Sequence, residues 1–367
     1  MPLATDSAGD VFHARGRDTT MHRVIGERDL AETELTVEEA IEIYRGMVRA
    51  RRFDERALAL QRRGWMSSYP PFKGQEASQV GAAHAMAEDD WLVPTYRSNA
   101  MQLTLGVPAS DILLFRRGMG EYHSGHDRPV FPQAISIASQ IPHAAGIGMA
   151  ADYRGADHAV VCYFGDGATS EGDFHEGLNF AGVSDAPVVF FCENNGWAIS
   201  MPRERQTASE TIAAKADAYG FDGVRVDGND PLAVAETMTD ALSGARDGDP
   251  VLVESLTYRQ GAHTTSDDPS RYRDSEAEFP EWRTADPIER YEDYLREQGV
   301  LDDALAATIA AEVEDELADA VETAESTPDP DPETLFEHVH AELPPGLSDQ
   351  RVHVLEQVRR REEGDST

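Results

Sequence analysis

An α/β fold, with a parallel sheet flanked by helices and helical extensions at both ends, is what this sequence predicts. Three observations carry that expectation. Between about residues 65 and 262, short apolar runs alternate with helix-length segments, the pattern of strands joined by crossover helices. Two of those runs, 159–164 (AVVCYF) and 187–192 (PVVFFC), are apolar throughout and read as buried strands. After residue 275 the strand signal stops and helical periodicity takes over.

Residues 1–35 read as a loosely ordered segment. A helix is expected from Thr36, where Thr36 and Glu39 have the spacing of a capping box, and Ile41, Tyr44 and Val48 recur at helical intervals. It runs into an arginine-rich stretch before Gly64. The strand at 159–164 is followed by a helix at about 171–182 and the strand at 187–192. Then come a strand at 223–227, a helix at 231–245 opened by Pro231, and a strand at 251–258. Leu305, Ile309, Val313, Leu317 and Val321 form an apolar stripe at four-residue steps, which predicts an amphipathic helix. The run TPDPDP at 327–332 ends it as a stiff connector, and a polar tail follows. The domain expectation is therefore an α/β domain over 36–275 and a helical extension over 276–367, with no internal repeat.

Charge narrows the function classes. The 367 residues include 68 acidic and 32 basic ones, a formal net charge of −36. Such a surface repels nucleic acid and anionic membranes. Lys73 and Lys215 are the only lysines, and the other basic residues are arginine. The apolar runs rule against disorder, so the excess reads as a folded, carboxylate-rich surface adapted to high salt, which screens its self-repulsion. No run of eighteen apolar residues exists to span a membrane. The N-terminus has no apolar core of the signal-peptide kind, which predicts a cytoplasmic protein. Cys162 and Cys192, each inside an apolar run, read as buried free thiols.

The candidate chemistry lies at two strand ends. Gly165-Asp166-Gly167-Ala168 follows the first buried strand, and Glu193-Asn194-Asn195-Gly196 follows the second. Asp166 and Asn195 are 29 residues apart, about one βαβ crossover. A right-handed crossover returns both strand ends to the same sheet edge, where open α/β sheets bind ligands. A carboxylate and an amide oxygen are hard ligands suited to Mg²⁺, which completes its shell with water and phosphate oxygens. Gly167 and Ala168 leave backbone N–H groups at a helix start, which suits a phosphate. The pattern implies a magnesium-diphosphate cofactor, although a glycine-rich turn after a strand is by itself more often a simple turn.

The stretch 165–200, GDGATSEGDFHEGLNFAGVSDAPVVFFCENNGWAIS, closely resembles the thiamine diphosphate signature of the alpha subunits of 2-oxoacid dehydrogenases. GQEASQVGAAHA (74–85), VPTYRS (93–98), ISIASQIPHAAG (135–146), VDGNDPLAV (226–234), TYRQGAHTTSDDPSRYR (257–273) and FEHVHAELP (336–344) resemble further segments of that family, in the family's order over residues 36–350. The resemblance implies a parallel α/β fold, thiamine diphosphate and Mg²⁺ as cofactors, and oxidative decarboxylation of a small 2-oxoacid with acyl transfer to lipoyl groups. It implies as metal ligands Asp166, Asn195 and the backbone carbonyl of Trp197, where the family often has Tyr. Gly167 and Ala168 would meet the diphosphate. Tyr96, Arg97, Arg259 and His263 would surround the phosphates and the active-site mouth, with Tyr96, Arg97 and His263 as the catalytic set. Ile137 would pack against the cofactor rings. The implied partners are a beta subunit, in an α₂β₂ heterotetramer that completes the active site, and a lipoyl-bearing acyltransferase core.

Two positions depart from parts of the family. Some branched-chain members carry Arg where this chain has Glu193, and some pyruvate-specific members carry His where it has Pro70. The downstream segments lean toward the bacterial pyruvate type, while SDD (266–268) also occurs in branched-chain relatives. The loop 264–270 matches one phosphorylated in some relatives, with Thr264, Thr265, Ser266 and Ser270 as acceptors. The alternative readings are a non-catalytic nucleotide- or metal-binding interaction protein on the same fold, and a transketolase-like half-enzyme.

Overall fold

The structure, a computed structural model, describes residues 21–273 and 279–364. Its first long helix, α1 (Val37–Arg62), is opened by Thr36: the hydroxyl accepts from the Glu39 N–H at 3.2 Å and the Glu39 carboxylate accepts from the Thr36 N–H at 2.8 Å. Its buried arc is broad, running through Ala40, Ile43, Tyr44, Met47, Ala50, Phe53, Ala57 and Leu60. Ile41 and Val48 lie at the margin of that arc, so the stripe expected through them is turned by about two residues. The cause is the number of neighbours: α2 (Glu76–His84), α3 (Asn99–Thr104) and α9 (Pro287–Glu297) all pack on α1.

Five parallel strands form the sheet: β1 (Trp91–Val93), β2 (Val160–Gly165), β3 (Val188–Asn194), β6 (Asp222–Asp227) and β7 (Val251–Leu256), in the order β1-β2-β3-β7-β6. Every predicted strand is present within two residues at each end; the three-residue β1, preceding the Tyr96 and Arg97 loop, was not foreseen as a strand. β3 is buried along its whole length because it sits at the centre with a helical layer on each face. On one face Cys162, Phe164, Phe190 and Cys192 pack with Phe174, Leu178 and Ile141 from α6 (Gly172–Val183) and α5 (Gln140–Arg154). Both cysteines are free and fully buried. On the other face α7 (Pro231–Arg246) lies on β3, β6 and β7 and packs against α2. Gly81 permits that approach, since a Cβ there would fall 2.6 Å from the Pro231 carbonyl oxygen. A helix α4 (Ala109–Arg116) and a two-residue antiparallel pair, β4 (Trp197–Ala198) with β5 (Met201–Pro202), complete the region around the sheet.

The first twenty residues of the segment expected to be loosely ordered lie outside the described ones. From Met21 onward the chain is anchored. His22 bridges to Val226, and Val24 and Leu30 are buried. Asp230 explains the docking. One of its oxygens caps α7 through the Leu232 and Ala233 N–H groups, and the other accepts from the Val24 and Ile25 N–H groups at 2.7 Å each.

After the sheet come α8 (Glu281–Thr284), α9 and α10 (Asp303–Ser326). Ile309, Val313 and Leu317 of the predicted stripe are buried, with Leu305 and Val321 half-buried beside them. Arg45, Arg49 and Arg56 of α1 pair with Glu312, Glu316 and Glu314 of α10. Compactness divides the chain after Val321 rather than near residue 275, so α8, α9 and most of α10 belong with the α/β unit. The second unit, from Glu322, holds the end of α10, the short α11 (Thr334–Glu337) and α12 (Pro345–Gly364), with Arg351 bonded to Glu333.

Two outcomes test this packing. Leu317→Ala should cost ~3 kcal/mol in chemical unfolding, through lost burial and a cavity. Arg45→Ala should cost under ~1 kcal/mol, because its ion pair is exposed and screened. A second test concerns Asp54 in α1, which is buried and accepts from the Tyr69 hydroxyl at 2.8 Å and the Phe72 N–H at 3.1 Å. Burial outweighs those bonds and pushes its carboxyl up to about 7. The folded state therefore holds the proton between pH ~4 and ~7 while the unfolded state releases it, and stability falls as pH rises through that window. Asp54→Asn should gain on the wild type between pH ~5 and ~8, by ~4 kcal/mol at most, in unfolding curves at fixed salt.

Candidate active site

The parallel register pairs Gly165 of β2 with Glu193 of β3, so the residues that follow both strands leave the same sheet edge. Asp166 opens a 3-10 turn over Asp166–Ser170, and only after it does α6 begin. Gly167 and Ala168 thus sit in that turn rather than in the first turn of the long helix. Gly167 is needed there because a Cβ would fall 2.8 Å from the Ala198 Cβ. Asp166 is 1 % exposed; its Oδ2 accepts from Gln206 Nε2 at 3.3 Å, while its Oδ1 is buried with no hydrogen-bond partner among the described residues. Burial pushes its carboxyl up to about 6, opposed by the charges of Arg283 and Arg259. A buried carboxylate oxygen without a donor is costly unless a cation meets it.

Asn195 follows β3. Its Nδ2 donates to Gln75 Oε1 at 2.8 Å and its Oδ1 accepts from the Trp197 N–H at 3.2 Å. The Trp197 carbonyl accepts from Arg259 Nη1 at 3.3 Å. Gly196, at φ 87, makes the turn that brings β4 back over the Asp166 segment. Ile199, in the β4–β5 connection, adopts φ 55, a conformation disfavoured for a β-branched residue. Its carbonyl is held by Arg259 Nη2 at 2.8 Å. Among the described residues no cluster of three or more His, Cys, Asp or Glu side chains is poised for a metal. The donor set at this edge is instead a carboxylate, an amide and a carbonyl, the all-oxygen set suited to Mg²⁺.

Loops after β1 and β7 bring in the cations. Arg97 is buried; it donates to the Pro71 carbonyl, and its Nη2 donates to the His263 carbonyl at 2.9 Å and approaches His263 Nδ1 at 3.0 Å. Arg259 Nη1 lies 3.3 Å from the same Nδ1. Neither guanidinium bonds a carboxylate among the described residues. Burial, with Arg97 and Arg273 nearby, lowers Arg259 to about 10. Burial and the two guanidiniums lower His263 to about 3. With donors on its Nδ1, the neutral ring carries its proton on Nε2. Tyr96 is half-buried, its ring edge-on to His263 at 6.2 Å and 5.6 Å from the Arg97 guanidinium. Two buried, carboxylate-free guanidiniums are suited to an anion.

Ile137 stands apart: it is 45 % exposed, on the loop that enters α5 through Ala138 at φ 69. Glu193 points away from the turn, accepting from the Tyr163 hydroxyl and from Gln79 Nε2, and burial pushes it up to about 8. Pro70 is buried in the loop before α2. In the loop 264–270, Ser266 and Ser270 are exposed, and Asp267 accepts from the His263 N–H and the Tyr272 hydroxyl. Four residues at this edge escaped the sequence reading: Gln75, Gln206, Tyr272 and Arg283, whose Nη2 donates to the Asn194 carbonyl at 2.9 Å. They come from distant segments; Gln75 and Tyr272 fall in stretches whose family likeness gave a signal, and Gln206 and Arg283 do not.

The sequence matches the dehydrogenase E1 component family over residues 44–333. The chain belongs to that family. Among characterised relatives, the 3-methyl-2-oxobutanoate dehydrogenase subunit alpha of Mycobacterium tuberculosis is 45 % identical over 325 residues, 87 % of each chain. The 2-oxoisovalerate dehydrogenase subunit alpha of Bacillus subtilis is 38 % identical over 88 % of this chain and 99 % of its own. The pyruvate dehydrogenase E1 component subunit alpha of Staphylococcus aureus is 37 % identical over 86 % of each.

The state of His263 in this E1 chain is directly testable. Its imidazole should remain neutral from pH 8 to 5 in NMR titration, where an ordinary histidine takes up a proton. Because the unfolded chain protonates near pH ~6.5 and the folded one only near pH 3, His263 withdraws stability as pH falls through that interval, a loss that His263→Gln should remove.

Proposed function

We propose that this chain is the alpha subunit of a 2-oxoacid dehydrogenase complex and binds thiamine diphosphate through Mg²⁺ at the β2–β3 edge. The observation that carries the reading is the pairing, among the described residues, of a buried, donorless Asp166 oxygen with two buried guanidiniums that bond no carboxylate. A magnesium-diphosphate group satisfies both at once. Asp166, the Asn195 amide oxygen and the Trp197 carbonyl hold the metal. The Gly167 and Ala168 turn and the cations Arg97 and Arg259 meet the diphosphate, with Tyr96 and His263 at the mouth. When bound, the cofactor supplies the electron sink for loss of carbon dioxide from the 2-oxoacid. The chain's own residues orient it and neutralise its charge. His263, neutral, offers an Nε2–H to substrate or phosphate oxygen without adding a further positive charge.

The described residues hold one parallel sheet with one such edge, and the relatives carry the name subunit alpha. Both support a chain that acts with a beta subunit, as an α₂β₂ heterotetramer, and passes its acyl group to a lipoyl-bearing core. Exposed Ile137 is then available to pack against the cofactor rings. The higher identity to the 3-methyl-2-oxobutanoate enzyme favours a branched 2-oxoacid over pyruvate. No described helix is long and apolar enough to cross a membrane, and the net charge of −36 supports a cytoplasm of high salt. Neither an interaction protein nor a transketolase-like half-enzyme draws support from the relatives.

Calorimetric titration of thiamine diphosphate with Mg²⁺, into the chain co-expressed with its beta partner at molar salt, tests the reading. Binding should require the metal and disappear in Asp166→Ala. Metal-independent binding, or binding that survives the substitution, would sink it. Rates on 3-methyl-2-oxobutanoate and pyruvate then decide the substrate.

A further inference from the structure

Gln75 is fully buried at the start of α2, on a different segment from either strand of the site. Its side-chain amide bonds two groups. Nε2 donates to the Phe72 carbonyl at 3.2 Å, and Oε1 accepts from Asn195 Nδ2 at 2.8 Å. The polarity of this relay is set at its ends. A backbone carbonyl only accepts, so Gln75 must turn its NH₂ toward Phe72 and its oxygen toward Asn195. Asn195 must then answer with its own NH₂, which leaves Oδ1 on the opposite side. There the Trp197 N–H, a donor only, occupies one of its lone pairs at 3.2 Å and leaves the other for a metal. The far end is itself anchored. Phe72 donates its N–H to Asp54 at 3.1 Å, and its carbonyl also accepts from the Gln75 N–H at 3.0 Å.

We infer that Gln75 is a positioning residue that fixes the amide polarity of Asn195, so that Oδ1 rather than Nδ2 faces the cation. The inference rests on the magnesium-diphosphate reading above. An amide turned by half a rotation would present N–H hydrogens to Mg²⁺, which repel it. Side chains that orient a metal ligand in this way typically account for ~10–100-fold in metal affinity.

The test is a double-substitution cycle in the assembled alpha–beta complex, read as Mg²⁺ affinity by calorimetry at saturating thiamine diphosphate. Gln75→Leu removes the acceptor at similar volume. Asn195→Asp replaces the amide by a carboxylate with two equivalent oxygens, which has no polarity to fix. Gln75→Leu should raise the Mg²⁺ Kd by tenfold or more, roughly the range for such ligand-orienting groups, when Asn195 is present. In the Asn195→Asp background the same substitution should change Kd by less than about threefold. An equal loss in both backgrounds would mean a merely structural role and overturn the assignment, as would an unchanged Kd with Asn195 present. A wild-type complex that takes up no Mg²⁺ would instead defeat the underlying reading, and this inference with it. If Gln75→Leu does not assemble, Gln75→Met, unbranched and of matching length, is read in the same way; failure of both to assemble overturns the inference.

Discussion

The parallel pairing of β2 with β3 is the constraint from which the site follows. Once Gly165 lies opposite Glu193, the next residues of both strands leave one edge together, and Asp166 and Asn195 share a neighbourhood without any contact between their own segments earlier in the chain. That register is held by burial on both faces: β3 is central and apolar, and a slip of one residue would exchange Phe190 and Cys192 with Phe191 and Glu193 between the two helical layers. The site inherits its precision from the core.

Electrostatically the edge is unbalanced in two directions. Among the described residues, Asp166 is a buried carboxylate with one oxygen lacking a donor, and Arg97 and Arg259 are buried cations that bond no carboxylate. Each costs free energy alone, and the chain tolerates them because the sheet and its loops hold them in place. His263 stays neutral because it is buried and because a third positive charge beside the two guanidiniums would be unfavourable. Sites that wait for a charged ligand carry this kind of local instability, while the surrounding apolar layers supply the stability.

The surface follows a different logic. Arginine is used almost to the exclusion of lysine, and many of these arginines reach back to acidic residues across helices, as α1 does with α10. Such exposed pairs contribute little each, and Ile309, Val313 and Leu317 contribute more to docking α10. Carboxylates exposed on the surface without such a partner are screened by dissolved ions.

Much was legible locally. The strands announced themselves because a central parallel strand must be apolar on both faces, and the Thr36 cap because it needs only residues three apart. The Asp166 and Asn195 turns were legible because crossover spacing and family likeness agree, and the likeness also pointed to Arg97, Arg259 and His263. What the sequence by itself determined, then, was the class of fold, the two strand-end turns and the family. The tertiary structure alone decided which face of α1 is buried, since that depends on packing against three other helices, one of them α9 more than 200 residues away. It alone decided that residues after Met21 dock through Asp230, and that Glu193 turns toward Tyr163. It alone brought Gln75, Gln206 and Arg283 to the edge. Periodicity reports a residue's relation to its own helix or strand, whereas a hydrogen bond across 120 residues is set only when the layers close.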